Sequence, residues 1–129
     1  MINLSVQPLQ RTTFPNNSFD VVVSKYALHN VINLQQAFQE LHRILKPKGM
    51  LIFAVNHPLF IFLAKKNNTY HSKEIVQCPI LDGQCLLQQP AHTFAEYFNA
   101  FVCSRFDLLA FTECKEPVPR WFLAKLRKR

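Results

Sequence analysis

The stretch that decides the fold is "FPNNSFDVVVSKYALHNVINLQQAFQELHRILKPKGMLIFAVN", residues 14–56. Its "PNNS" (15–18) is turn chemistry, since asparagine tolerates left-handed backbone and serine bonds to its own neighbours. "DVVVS" (20–24) follows, β-branched and apolar without alternation. A strand that offers valine to both faces is the mark of a parallel sheet covered on both sides. "YALHNV" reads as a short helical turn or loop. Asn33 is a good N-cap for "LQQAFQELHRILK". Its apolar positions Leu34, Ala37, Phe38, Leu41, Ile44 and Leu45 fall on one helix face. Arg43, Lys46 and Lys48 lie in or just past the last turn, where positive charge suits the helix dipole. "KPKG" stops the helix, and "MLIFAVN" (50–56) is a second buried strand. Strand, helix and strand with short links make a βαβ unit, for which a right-handed crossover is expected.

The flanks are read outward from that unit. "INLSVQ" (2–7) alternates and predicts a short strand, limited by Pro8. His57-Pro58 predicts the start of a helix. Residues 66–91 have no strong periodicity and read as an insertion or lid-like loop. A strand at 75–80 or a short hairpin around Asp82-Gly83 is expected within it. Thr93 caps "FAEYFNAFVCS", whose Phe94, Tyr97, Phe98, Phe101 and Val102 form one face and read as core. "FDLLAFTE" (106–113) and "WFLAKLR" (121–127) are strands, and the short "KEPVPR" between them makes the pair antiparallel. The chain is thus one domain over 1–129: a core at 14–60, an irregular insertion at 66–91, and a helix and strand pair at 92–129.

Composition narrows the classes. With 129 residues, 49% hydrophobic and 12% aromatic, the chain can bury a core, which excludes wholesale disorder. The net charge is +7, and the densest basic run is "KLRKR", Lys125 to Arg129. Such a run is a solvated terminus or a contact for nucleic acid or anionic lipid. No stacking platform or nucleic-acid motif accompanies it, so nucleic acid is not an expected partner. Cys78, Cys85, Cys103 and Cys114 include no C-x-x-C pair, and read as free thiols with no metal site. The longest apolar run, "LFIFLA" (59–64), is too short to span a membrane. No signal-peptide pattern opens the chain. A reduced, cytoplasmic protein is expected.

Residues 14–60 resemble the C-terminal half of class I S-adenosylmethionine (SAM)-dependent methyltransferases, of the small-molecule kind called type 11. The matching motifs are Pro15-Asn16-Asn17-Ser18-Phe19-Asp20, Ala27-Leu28-His29 and Leu41-His42-Arg43-Ile44-Leu45-Lys46-Pro47-Lys48-Gly49, in order and spacing. The resemblance is looser over 92–127. It implies an α/β, partial Rossmann-like fold: a mostly parallel sheet with helices on both faces and a C-terminal antiparallel strand pair. The family's sheet order is 3-2-1-4-5-7-6, with SAM at the carboxyl ends of the strands where the order reverses. On this likeness Ser24, Lys25 and Tyr26 end strand four beside the donor methyl, with His29 next to them. His57 follows strand five on the substrate side. His29 and His57 are the candidate general bases; each also reads as a residue that only packs or bonds at a helix start. Asp20 reads as ordering the turn into its strand. The methyl acceptor is expected to be a small molecule.

The sequence departs from the family in one respect. No glycine precedes Gly49, so the Gly-rich loop that lets backbone approach SAM is missing, and only 19 residues precede Asp20. The chain resembles such an enzyme begun at its third strand. The Val21–Ser24 edge is then left with open donors and acceptors. Either "INLSVQ" moves over to cover it or another chain does, and association through that edge is expected. The functional expectation is a SAM-dependent methyltransferase family member, weak or inactive as it stands. The alternative is a non-catalytic remnant or partner subunit that binds another chain by strand addition.

Overall fold

A computed structural model of the chain describes residues 2–67, 69–80 and 83–129. The expected βαβ unit is there. Strand β1 (Phe19–Lys25) leads through a short 3-10 helix (Leu28–Asn30) to helix α1 (Leu34–Ile44), and strand β2 (Leu45–Asn56) returns parallel to β1. Asn33 caps α1 as its chemistry requires, its Oδ1 accepting the Gln36 N–H at 3.0 Å. Helix α2 (Pro58–Leu63), the hairpin strands β3 (Ile75–Ile80) and β4 (Cys85–Pro90), helices α3 (Phe94–Tyr97) and α4 (Ala100–Arg105), and strands β5 (Phe106–Glu113) and β6 (Trp121–Lys128) follow.

The main sheet has the order β1-β2-β6-β5. β6 runs antiparallel to both β2 and β5, so β1, β2 and β5 share one direction and the sheet is mixed rather than mostly parallel. Taken as strands four, five, seven and six, this is the end of the order that the resemblance implies.

One face of the sheet carries the core. Leu51, Phe53 and Val55 of β2 and Phe122, Ala124 and Leu126 of β6 are fully buried with Ala37, Phe38 and Leu41 of α1 and Tyr97 of α3. Phe38 and Phe53 meet edge-on at 5.6 Å, and Phe122 meets Tyr97 at 5.3 Å. Of the aromatic stripe from Phe94 to Phe101, Tyr97 lies in the core and Phe94, Phe98 and Phe101 pack half-buried against it. The other face presents Val21, Val23, Ile52, Ala54 and Leu123, all exposed or half-buried. The named core helices α1, α3 and α4 therefore lie on one face, not on both. Three valines in a row promised cover that the described residues do not supply.

Four further expectations change. Residues 2–7 form no strand, because no described strand lies beside them. The helix expected over 94–104 breaks in two, because Asn99 caps a second helix, accepting the Val102 N–H at 3.0 Å. "KPKG" does not precede β2 but bulges within it: Phe19 faces Leu45 and Val21 faces Met50, so residues 46–49 all lie opposite Asp20. The basic run is no solvated tail. It is the end of β6, with Arg127 and Arg129 on Asp107 at 3.3 and 2.7 Å. Lys128 is buried and donates to the carbonyls of His42 and Leu45 at 2.6 and 2.7 Å, closing the carboxyl end of α1. In the insertion, β3 and β4 form the hairpin; residues 81 and 82 of its turn lie outside the described residues.

The motif residues of the turn turn out to be structural. Glu40 accepts from the Thr12 N–H and hydroxyl at 2.8 and 2.6 Å and from Arg43 at 2.6 and 2.9 Å. Arg43 first, and Thr12 with it, hold the Glu40 carboxyl down to about 2 although burial opposes this. Arg43 also donates to Asn16 at 2.7 Å, tying the turn to the helix. Asp20 pairs with Lys46 at 3.0 Å in the open, which adds little stability there.

Gly49 is needed for space. A Cβ there would sit 2.8 Å from the Lys46 carbonyl oxygen and 3.1 Å from that of Asp20, both backbone. Gly49→Ala must push β2 away from β1. It is expected to cost about 1–3 kcal/mol, read as a lower urea midpoint with an unchanged slope.

Candidate active site at the carboxyl ends of the strands

β1 and β2 end side by side, Lys25 opposite Ala54, and each then leaves the sheet. Tyr26 makes the exit from β1. Its N–H donates to the Ala54 carbonyl at 2.8 Å, and its φ of 53° is left-handed. For a bulky residue that backbone costs on the order of 1–3 kcal/mol, and such strain gathers at functional sites. The 3-10 helix then turns His29 back onto the end of β2. His29 is buried, and its Nδ1 accepts the Asn56 N–H at 3.0 Å. Burial, with His92 nearby, lowers its pKa to about 4. The ring is neutral near pH 7, and because Nδ1 accepts, Nε2 carries the proton.

Asn56 extends the arrangement. Its side-chain amide donates to Oε1 of Gln89 on β4 at 2.8 Å, and Gln89 is itself buried. The hairpin is thereby fixed over the strand ends. Between them lies an open cleft of about 740 Å³, lined by Tyr26, His29, Asn30, Asn56, Phe60 and Trp121, with Cys78 and Leu87 of the hairpin. Cys78 is no reactive thiol, since burial pushes its pKa up.

His57 sits differently. Its Nδ1 accepts the Leu59 N–H at 3.1 Å and caps α2, while Nε2 lies 3.0 Å from Glu113 at the end of β5. Phe94 and Phe122 pack edge-on against the ring at 4.9 and 6.1 Å. Both nitrogens are engaged, and His57 does not line the cleft. Ser24, Lys25 and Tyr26 line a separate hollow of about 280 Å³ on the open sheet face, with Val23, Ile52, Ala54, Trp121 and Leu123. Tyr26 and Trp121 stand between this hollow and the cleft. The Lys25 ammonium lies 5.9 Å from the Tyr26 ring centre. The Ser24 hydroxyl is buried with no partner among the described residues.

These residues do not enclose a SAM molecule by themselves. The hollow is below the roughly 300–1,000 Å³ of ordinary ligand pockets. No acid lines it to hold a ribose, and no glycine precedes Gly49 to let backbone approach. The structure brings Tyr26 and His29 together and leaves His57 behind them. Sequence reasoning missed Asn56, Gln89 and Trp121. Asn56 had a signal, the polar residue that ends "MLIFAVN"; Gln89 had none. Among the described residues, no group of three or more His, Cys, Asp or Glu could hold a metal ion. No described helix is long and apolar enough to cross a membrane.

A parallel βαβ with an antiparallel β6 wedged inside β5, and a cleft at the carboxyl strand ends, defines the class I methyltransferase fold. The comparisons agree. Residues 2–53 match the family described as "Methyltransferase domain". A curated relative, the ubiquinone/menaquinone biosynthesis C-methyltransferase UbiE of Geotalea daltonii, is 29% identical over 83 residues, 64% of this chain and 34% of its own length. The match thus spans about a third of that relative. A solved SAM-dependent methyltransferase from Mesorhizobium loti superposes with a TM-score of 0.74 over 95% of this chain and 67% of its own, at 20% identity. The methyltransferase solved with the Trm112 methyltransferase activator of Haloferax volcanii gives 0.64 over 96% and 60%, at 16%. The chain has the fold of the C-terminal part of a class I SAM-dependent methyltransferase domain, and no glycine precedes Gly49 in its sequence.

Proposed function

We propose that this chain forms the acceptor side of a SAM-dependent methyltransferase that acts on a small molecule. The observation that carries the reading is the cleft in which neutral His29 and the strained Tyr26 meet at the ends of β1 and β2. When bound, SAM supplies an electrophilic methyl group, and methyl transfer asks chiefly for proximity and alignment. Ser24, Lys25 and Tyr26 form the wall toward the donor. His29 acts as a hydrogen-bond donor through Nε2–H, orienting an oxygen of the acceptor, rather than as a base. His57 positions α2. Phe60, Leu87 and Trp121 suit a flat, apolar acceptor. The name of the relative UbiE supports a carbon acceptor. The four free cysteines suit a reducing compartment such as the cytoplasm.

Calorimetric titration of SAM into the folded chain tests this. Micromolar binding, about −8 kcal/mol, supports a donor site completed by these residues. No heat from a folded sample would favour a second reading, a subunit that works with another chain. The outer edge of β1, which no described strand pairs, supports that reading, and the methyltransferase solved with an activator offers a parallel.

A further inference from the structure

The cleft at the strand ends is lined by apolar and neutral polar side chains with one exception. Arg120, the residue before β6, is the single charged side chain among the described residues that line it, His29 being neutral. One cation on an otherwise uncharged wall favours an anionic group on whatever the cleft takes.

Arg120 is held from behind. Its carbonyl accepts the His57 N–H at 2.8 Å, which ties its backbone to the chain leaving β2. Its guanidinium lies over the Phe60 ring, 5.9 Å from the centroid. Phe60 and Arg120 together form the wall that the cleft shares with the hollow beside α2. On the guanidinium, Nε lies 3.1 Å from Glu116. The two terminal nitrogens make no hydrogen bond among the described residues. The side chain is thus held through its ring contact and Nε, with its outer fork left to solvent. Such a fork of parallel N–H groups matches the two oxygens of a carboxylate.

We propose that Arg120 forms a carboxylate subsite at one end of the cleft, so that the molecule taken there is an aromatic acid. Its flat body lies against Phe60, Leu87 and Trp121, and its carboxylate accepts from the terminal nitrogens of Arg120. The inference rests on the reading of this cleft as the acceptor's side, and adds a charge to the acceptor. Lysine at this position would supply the charge without the fork.

Naphthoate and its neutral counterpart naphthamide separate the two parts of the claim. Trp121 is the chain's single tryptophan and lines the cleft, so its indole N–H resonance reports binding of either probe to the full chain. Naphthoate is expected to bind about tenfold more tightly, the scale of hydrogen bonds to a charged group. Arg120→Gln should remove that preference and leave naphthamide binding as it was. Lys66→Gln, which removes an exposed cation outside the cleft, should leave the preference intact. Equal affinity for the two probes, or a preference that survives Arg120→Gln, would overturn the subsite while the aromatic cleft stands. A preference lost equally on Lys66→Gln would overturn it too, because net charge alone would then account for it. No movement of the Trp121 resonance with either probe would sink the reading of the cleft, and the subsite with it.

Discussion

Phe122→Ala is expected to lower the stability of the fold by about 3–5 kcal/mol, much of the 5–15 kcal/mol that a domain has. Phe122 is fully buried in the middle of β6, the strand that joins β2 to β5. Its ring touches Tyr97, Phe94 and Phe111 at 5.3 Å and Phe53 and Phe98 at 5.9 Å. Removing it opens a cavity that β2, β5 and α3 would have to close together. The ring also packs on His57, so the cap of α2 should loosen with the core. Urea unfolding should show the lower midpoint. Phe111→Ala is the control: it is 41% exposed in the same cluster and should cost less than half as much. Equal losses from the two would mean that the cluster, not the cavity at Phe122, sets the cost.

The fold was legible where chemistry was local and doubled. The cap at Asn33, the stripe of α1 and the three valines of β1 each pointed to the same βαβ unit, and the structure has it. The antiparallel β5–β6 pair was legible from the short turn, and the insertion's hairpin from Asp82-Gly83. What failed depended on distant partners. "INLSVQ" has a strand's alternation, but alternation does not supply a neighbour. Lys128 reads as one of four cations in a tail, and only the tertiary fold brings it to the carbonyls of His42 and Leu45. The site shows the same division. His29 stood in a matching motif and Tyr26 at the strand end the resemblance implies, whereas Gln89, 33 residues from Asn56, had no local signal. The role of His29 was beyond the sequence, because it turns on which ring nitrogen already holds a bond.

Acidification should cost this protein stability in two separate windows, and the upper one belongs to His29. In the unfolded chain a histidine titrates near 6.5; in the fold His29 is lowered to about 4, mainly by burial. Between those values the unfolded state binds the proton and the folded state refuses it, so stability falls as pH falls. It is complete above 6.5 and the loss is finished near 4. The shift corresponds to about 3 kcal/mol. His42 and His92 are lowered as well, mainly by burial, and act in the same direction. Glu40 contributes the lower window, from its ordinary 4.5 down to about 2, as its bonds to Arg43 and Thr12 are protonated away. Urea midpoints measured across this range should therefore drop steeply from pH 6.5 to 4, and His29→Asn should flatten that segment alone. The asparagine oxygen keeps an acceptor for the Asn56 N–H without a site that titrates. Parallel curves for the two proteins would show that His29 is not the group that resists protonation. If the curve does flatten, the proton that costs the fold stability also takes Nδ1 away from Asn56, so the cleft and the fold weaken over the same pH range.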